Sequence, residues 1–196
     1  YAQMMPTKYA TPFQGITPEI KARYQNWIGD VECPITTTNI PYQVQVDALR
    51  LNCRPEYLPE AAKVFDVFTL ANNHMYDNGG VDGYNETKQH LEENLIQYFG
   101  DYDISQTDHI CEVIRMKATL DIANKTTYMP VALCGYMLVV DDQPSAESLA
   151  VMKQYSQIMP VIAMPHMGVE YRPTGEDEKV TAYHAMIDAG ADVVIG

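Results

Sequence analysis

The sequence predicts an α/β domain, because strand-like apolar runs alternate with segments of helical pattern along the chain. The clearest strand is 64–70, an apolar run rich in β-forming residues that leads into a polar cluster and the breakers Asn78, Gly79 and Gly80. Neither an internal repeat nor a linker interrupts the pattern, so residues 1–196 are expected to form a single domain. The other predicted strands are 27–32, 131–140, 160–164 and one beginning at Asp192, and segment 94–100 is compatible with a short strand near its end, which leaves the end of the preceding helix open.

Helices are predicted in the segments between these strands. Thr17 as N-cap and Pro18 at the first helical position predict a short helix after an irregular start. The last helix is expected to turn Val180, Tyr183 and Ile187 to one face. The loosely alternating segment 44–51 predicts an edge strand. The remaining helices are expected at 55–63, 81–98, 147–157 and 176–189.

Composition and charge limit the possible partners. The formal net charge is −13, and 46% of the residues are hydrophobic, as in an ordinary soluble domain with a sizeable core. No basic stripe with interleaved aromatic residues is present, which argues against nucleic acid as a partner, and the negative charge disfavours anionic membrane surfaces. An acidic protein that handles an anionic substrate needs local positive charge, and bound metal ions can supply it.

The cysteines and the missing motifs narrow the chemistry further. Cys33, Cys53, Cys111 and Cys134 form no C-x-x-C pair; their even number permits disulfides, but buried free thiols are the expectation. Neither a P-loop nor a G-x-S-x-G nucleophile elbow is present. The start at Tyr1 and the strand-like end lead us to expect a chain cut at both termini.

Three polar clusters follow strand-like apolar runs. They are Asp30-Val31-Glu32, Asn72-Asn73-His74 with Asp77, and the segment 165–171. In α/β domains, ligands bind at the carboxyl ends of strands, and a mixed set of carboxylate, amide and imidazole groups favours zinc, manganese or iron. The alternative is purely structural, since Asn, Asp and His also cap helices and close turns.

Four blocks of the sequence resemble one family in the expected order. Residues 70–77 (L-A-N-N-H-M-Y-D) resemble the L-A-N-N-H-x-x-D signature of CapA-type capsule-synthesis proteins, which make poly-γ-glutamate. Residues 30–36 resemble the family's N-L-E-x-P-I-T block, 166–171 its H-W-G-x-E-Y block, and 185–196 its L-I-D-A-G-A-D-V-V-I-G block. The resemblance implies a calcineurin-like metallophosphoesterase fold, a layered α/β sandwich that this chain contains in part.

The sequence also departs from the family pattern. Asp30 stands in place of the usual Asn, and Met167 in place of the usual Trp. The opening G-D pair has no clear counterpart before Asp30, and the G-H-H-P-H block expected after V-I-G lies beyond Gly196. This chain therefore carries only part of the family's expected metal ligands.

The resemblance implies a role for each candidate residue. His74 corresponds to the histidine that contacts substrate or acts as general acid, and Asn73 to a metal-ligand asparagine. His166 corresponds to a metal-ligand position. The alternative role of His74 is a hydrogen bond that closes the turn, and the alternative role of His166 is that of a buried structural histidine. The candidate metal ligands are Glu32, Asn73 and His166, and the candidate substrate-binding residues are Glu170 and Tyr171. Asp30, Asn72 and Asp77 are candidate supporting residues. Glu32 is alternatively a carboxylate behind a ligand or a solvated acid at the strand end, and Asp77 either orients His74 or fixes the turn.

The implied function is capsule or poly-γ-glutamate biosynthesis with a metal-dependent hydrolase site. The implied cofactor is a divalent ion of manganese, zinc or iron, and the implied partner an anionic polymer or a phosphorylated substrate. A non-catalytic scaffold for a membrane-bound capsule synthase is the first alternative, and a phosphoesterase acting on small metabolites is the second. The resemblance places the protein at the outer face of the cell envelope, anchored through a segment outside this sequence.

Overall fold

The structure, a computed structural model, describes residues 9–120, 125–139, 143–169 and 177–196. They form helices and strands in alternation, which confirms the α/β class. The described chain divides into two compact units: residues 9–68 with 74–97, and residues 69–73 with those from 98 onward. That residues 1–196 act as one domain stays a prediction. No described helix has the length and hydropathy that a membrane crossing requires.

The elements are numbered in chain order. The strands are β1 Ile28–Asp30, β2 Val67–Thr69, β3 Gln97–Phe99, β4 Cys111–Leu120, β5 Lys125–Met137, β6 Val161–His166 and β7 Val193–Val194. The helices are α1 Pro18–Lys21, α2 Tyr42–Ala48, α3 Leu58–Ala61, α4 Val81–Glu93, α5 Ala146–Ser156 and α6 Asp177–Asp188, with 3₁₀ turns at Pro55–Tyr57 and Thr107–His109. One sheet has the strand order β1-β2-β3, and a second has the order β4-β5-β6-β7.

Local sequence signals determine several of these boundaries. Thr17 caps α1 as predicted, its hydroxyl oxygen accepting from the Ile20 amide at 3.4 Å. Ser145 caps α5 in the same way through the Ser148 amide. All three residues of β2 are buried, which matches the apolar run that predicted this strand.

The second sheet forms the core of the second unit. β4 and β5 pair antiparallel, whereas β5, β6 and β7 run parallel to one another. Tyr136 of β5 packs with Met152 of α5 and Met186 of α6, and all three are fully buried. Burial raises the pKa of the Tyr136 phenol, which therefore remains neutral. Strand β4 was not predicted, because basic and polar residues interrupt its apolar pattern.

One prediction of local structure is wrong. Segment 44–51 is not an edge strand, because 42–48 forms α2; Val44 and Val46 are 41% and 49% exposed, so no buried sheet face favours an extended conformation. Helix α6 forms as predicted, and its face with Val180 and Ile187 is turned to solvent, since the two side chains are 45% and 46% exposed. The buried residues of that helix are Ala182 and Met186, one turn apart.

The cysteines form two disulfides, so the expectation of free thiols is wrong. Cys33, three residues after β1, is bonded to Cys53, and Cys111 of β4 is bonded to Cys134 of β5. Cys111 and Cys134 are directly opposite each other in the antiparallel register, with their Cα atoms 4.0 Å apart. Sequence spacing could not reveal this pairing, because it depends on the register of strand β4, which was not predicted.

Three small residues bring the segment after β2 against β5 in the second unit. A Cβ atom on Gly135 would lie 2.9 Å from the Cβ of Ala71, and one on Gly100 would lie 2.8 Å from the same atom. Gly100 also has a φ of +81°, which favours glycine. This close packing holds Ala71, and with it the polar residues that follow, beside the sheet.

We expect the Gly135→Ala substitution to lower the free energy of unfolding by about 1–3 kcal/mol, because the new methyl group has no room beside Ala71. Urea denaturation followed by circular dichroism measures this loss. Gly15→Ala is the matched control, since a Cβ there meets nothing within 4 Å. Equal stability of the two variants would show that the close approach of Ala71 and Gly135 does not occur.

Candidate functional site

His74 and Asp77 form a hydrogen-bonded pair in the turn after β2. Nδ1 of His74 donates to Oδ2 of Asp77 at 2.8 Å, and the side chains are only 21% and 18% exposed. The same oxygen accepts from the Leu51 amide at 2.7 Å, and Arg50 donates to the Asp77 carbonyl. Asp77 therefore fixes the orientation of the His74 ring, so that a proton exchanged with a substrate has to pass through Nε2.

Asn78 and Asn52, which were not predicted as site residues, hold this turn to the segment after β1. Nδ2 of Asn78 donates to the Thr36 hydroxyl at 2.8 Å. Nδ2 of Asn52 donates to the same hydroxyl at 2.8 Å and to the Pro34 carbonyl at 3.1 Å. Asn78 directly follows the motif 70–77, so its position in the sequence could have indicated a role at this turn. Asn52 has no motif around it, and only the fold shows its role.

Helix α4 anchors the same segment through Glu86. Its carboxylate accepts from the amide and the hydroxyl of Thr37, both at 2.7 Å. Burial raises the pKa of the Glu86 carboxyl, but the hydrogen bonds from Thr37 and the nearby His90 outweigh burial, and the pKa lies below its usual value. Glu86 is therefore ionised at neutral pH, and these charge-assisted bonds persist there.

Asn73 and His166 meet in the second unit although they are 93 residues apart in the sequence. Nε2 of His166 donates to Oδ1 of Asn73 at 2.9 Å. The sheet places His166 at the end of β6, where it pairs with Met137 of β5. The packing around Gly135 places Asn73 nearby, and the preceding Asn72 is fully buried. Two residues from separate sequence blocks are thus brought into direct contact.

The acidic candidates belong to the first unit. Asp30 ends β1 and Glu32 follows two residues later; both side chains are exposed. Carboxylate oxygens of the two residues lie within 4.8 Å of one another. That Glu32 shares a metal ion with Asn73 and His166 stays a prediction. Glu170 and Tyr171, predicted to bind substrate, lie outside the described residues.

Oδ1 of Asn73 and Nε2 of His166 can hold a divalent cation when the imidazole proton is on Nδ1, because the lone pair of Nε2 then faces the ion and the ion replaces the hydrogen bond. Bonds from zinc to nitrogen and oxygen are about 2.0–2.2 Å long, so two donors less than about 4 Å apart can share one ion. The separation of 2.9 Å between Oδ1 and Nε2 meets this condition. An amide oxygen with an imidazole nitrogen suits manganese, zinc or iron better than calcium or magnesium, which prefer all-oxygen sites.

Comparison with known protein families agrees with the four sequence blocks. The family model described as bacterial capsule synthesis protein PGA_cap matches residues 1–196. The chain belongs to this family. Membership in the PGA_cap family assigns it to capsule synthesis and agrees with the α/β class of the structure. A search among curated proteins found no match.

Proposed function

We propose that this PGA_cap protein carries a metal-dependent hydrolase site that acts in making, releasing or anchoring poly-γ-glutamate or a related anionic capsule polymer. The contact between Asn73 and His166 carries the proposal. Two residues predicted separately as metal ligands place one possible ligand oxygen and one possible ligand nitrogen 2.9 Å apart. Glu32 is the third proposed ligand, and Asp30, Asn72 and Asp77 support the site.

The proposed chemistry gives His74 the role of general acid. A divalent ion of manganese, zinc or iron, when bound, polarises the scissile group and makes water a better nucleophile. Asp77 holds Nδ1 of His74 at 2.8 Å, so His74 donates its proton to the leaving group through Nε2.

We further propose that the protein works at the outer face of the cell envelope, near membrane-bound synthase subunits. The two disulfides support this location, because disulfides form and persist in oxidising compartments. A cation at the site would also reduce the electrostatic repulsion between this negatively charged chain and an anionic polymer.

Metal binding tests the proposal directly. We expect Mn²⁺ to bind the wild-type chain, and we expect His166→Ala and Asn73→Ala each to weaken that binding at least about 100-fold, since even the partners of metal ligands contribute about 10- to 100-fold. Isothermal titration calorimetry measures the affinity. His184→Ala, which removes an exposed histidine from α6, is the matched control and should bind as the wild type does.

Cellular assays separate catalysis from scaffolding. If the wild-type chain binds no Mn²⁺, Zn²⁺ or Fe²⁺, the hydrolase proposal is wrong. If, in addition, cells producing the Asn73→Ala and His166→Ala proteins make normal amounts of capsule, a scaffolding role explains the family membership instead.

A further inference from the structure

A cavity of about 430 Å³ opens beside β1 within the first unit. Its volume falls in the range of about 300–1,000 Å³ that is usual for small-molecule sites. Its walls are mainly apolar, and most come from α3, the 3₁₀ turn before it and the phenylalanines around β2. The apolar wall includes Phe13, Tyr57, Leu58, Ala61, Phe65 and Phe68.

Local sequence explains why the aromatic wall forms. Gly29 lies in the middle of β1, and a Cβ atom there would come within 2.7 Å of the Phe68 ring and 3.0 Å of the Phe65 ring. The missing side chain lets both rings pack against the strand, with their centroids 5.1 Å apart. Phe13 meets Phe65 edge-on at 6.3 Å and extends the apolar surface. The disulfide between Cys33 and Cys53 lines another part of the wall.

Polar groups line only part of this cavity. Asp30 and Glu32, the acidic candidates of the proposed site, border it, and Arg54 contributes a guanidinium group, which is suited to binding phosphate or carboxylate. Val31 lies between the two acids on the same lining. The cavity therefore joins an apolar interior to the residues that the proposed function places at the reacting group.

We infer that the substrate is an amphiphilic anion, whose apolar substituent occupies this cavity while its phosphate or carboxylate group lies at Glu32. This inference rests on the proposed function, because it takes Glu32 as a metal ligand. It narrows the proposed substrate from any anionic capsule polymer to one that carries an apolar substituent beside its anionic group, because an unmodified hydrophilic segment would leave the phenylalanine wall unused. Without a metal ion, the carboxylates of Asp30 and Glu32 oppose the attraction of Arg54 for an anion, so removal of metal weakens binding of the charged group and leaves binding of the apolar group unchanged.

Calorimetry with octyl phosphate, methyl phosphate and octanol tests the inference on the 196-residue chain. With Mn²⁺ present, we expect octyl phosphate to bind at least about tenfold more tightly than methyl phosphate, because its alkyl chain leaves water. Removal of Mn²⁺ should lower the affinity for octyl phosphate at least about tenfold and should leave the affinity for octanol unchanged.

Two variants connect this binding to the cavity. Val31→Trp should fill the cavity and weaken octyl phosphate at least about fivefold, whereas Val44→Trp, a matched change on exposed α2, should not. Phe13→Ala removes an aromatic ring from the cavity wall and should lower the affinity for octyl phosphate more than the affinity for methyl phosphate. This variant tests the inference even if Val31→Trp does not fold. Thermal unfolding monitored by circular dichroism verifies that each variant is folded.

The outcomes distinguish the inference from the proposed function. If Mn²⁺ binds but octyl and methyl phosphate have equal affinities, or if Val31→Trp and Val44→Trp behave alike, the inference is wrong and the hydrolase proposal stands. If Mn²⁺ does not bind but octanol does, and Val31→Trp abolishes octanol binding, the hydrolase proposal is wrong, and the inferred amphiphilic substrate is wrong with it although the cavity binds apolar molecules.

Discussion

Replacing His74 by alanine is expected to lower kcat on a model phosphodiester by about 100- to 10,000-fold, the usual contribution of a general acid. Mn²⁺ affinity should stay within about twofold of the wild-type value, because His74 is proposed to transfer a proton and not to bind the metal. Steady-state kinetics of the Mn²⁺-loaded chain, combined with calorimetric titration, measures both quantities. His184→Ala is the control, and its kcat should equal that of the wild type.

The Asp77→Asn substitution tests the hydrogen bond that orients His74. The new amide keeps the size of the side chain but no longer offers a charged acceptor to Nδ1 of His74 and to the Leu51 amide. We expect kcat to fall by less than in His74→Ala, with little change in KM. Unchanged kcat in both variants would exclude His74 as the acid and leave the pair a structural feature of the turn.

Removing the disulfide between Cys33 and Cys53 by a double substitution to alanine is expected to lower the free energy of unfolding by about 3 kcal/mol, because the bond closes a loop with a sequence separation of 20. The corresponding change at Cys111 and Cys134, with a separation of 23, should cost about the same. Urea denaturation of the wild type and of each variant measures the loss.

The two disulfide variants should differ in their effect on binding. Cys33 and Cys53 line the apolar cavity, so their removal should also weaken octyl phosphate, whereas removal of the other disulfide should not. Peptide mapping under non-reducing conditions identifies the pairs independently. Four titratable thiols in the native chain would contradict both bonds and restore the expectation of free cysteines.

Local sequence signals were sufficient for most elements. The apolar run before Asn72 predicted β2, Thr17 with Pro18 predicted α1, and the helical segment near 147–157 became α5. The errors occurred where burial, and not local pattern, determines the conformation. The valines of α2 alternate as in a strand, but both are exposed, and no sheet face is present to make that alternation favourable.

The sequence by itself determined the α/β class, the family and the residue types that can hold a metal, because turn chemistry, apolar periodicity and four ordered blocks are local properties. Only the tertiary structure decided that Asn73 meets His166, that Asp77 orients His74, and which cysteines pair. The contact of Asn73 with His166 depends on the close packing at Gly135, and the pairing of Cys111 with Cys134 depends on strand register; both bring together atoms far apart in the chain.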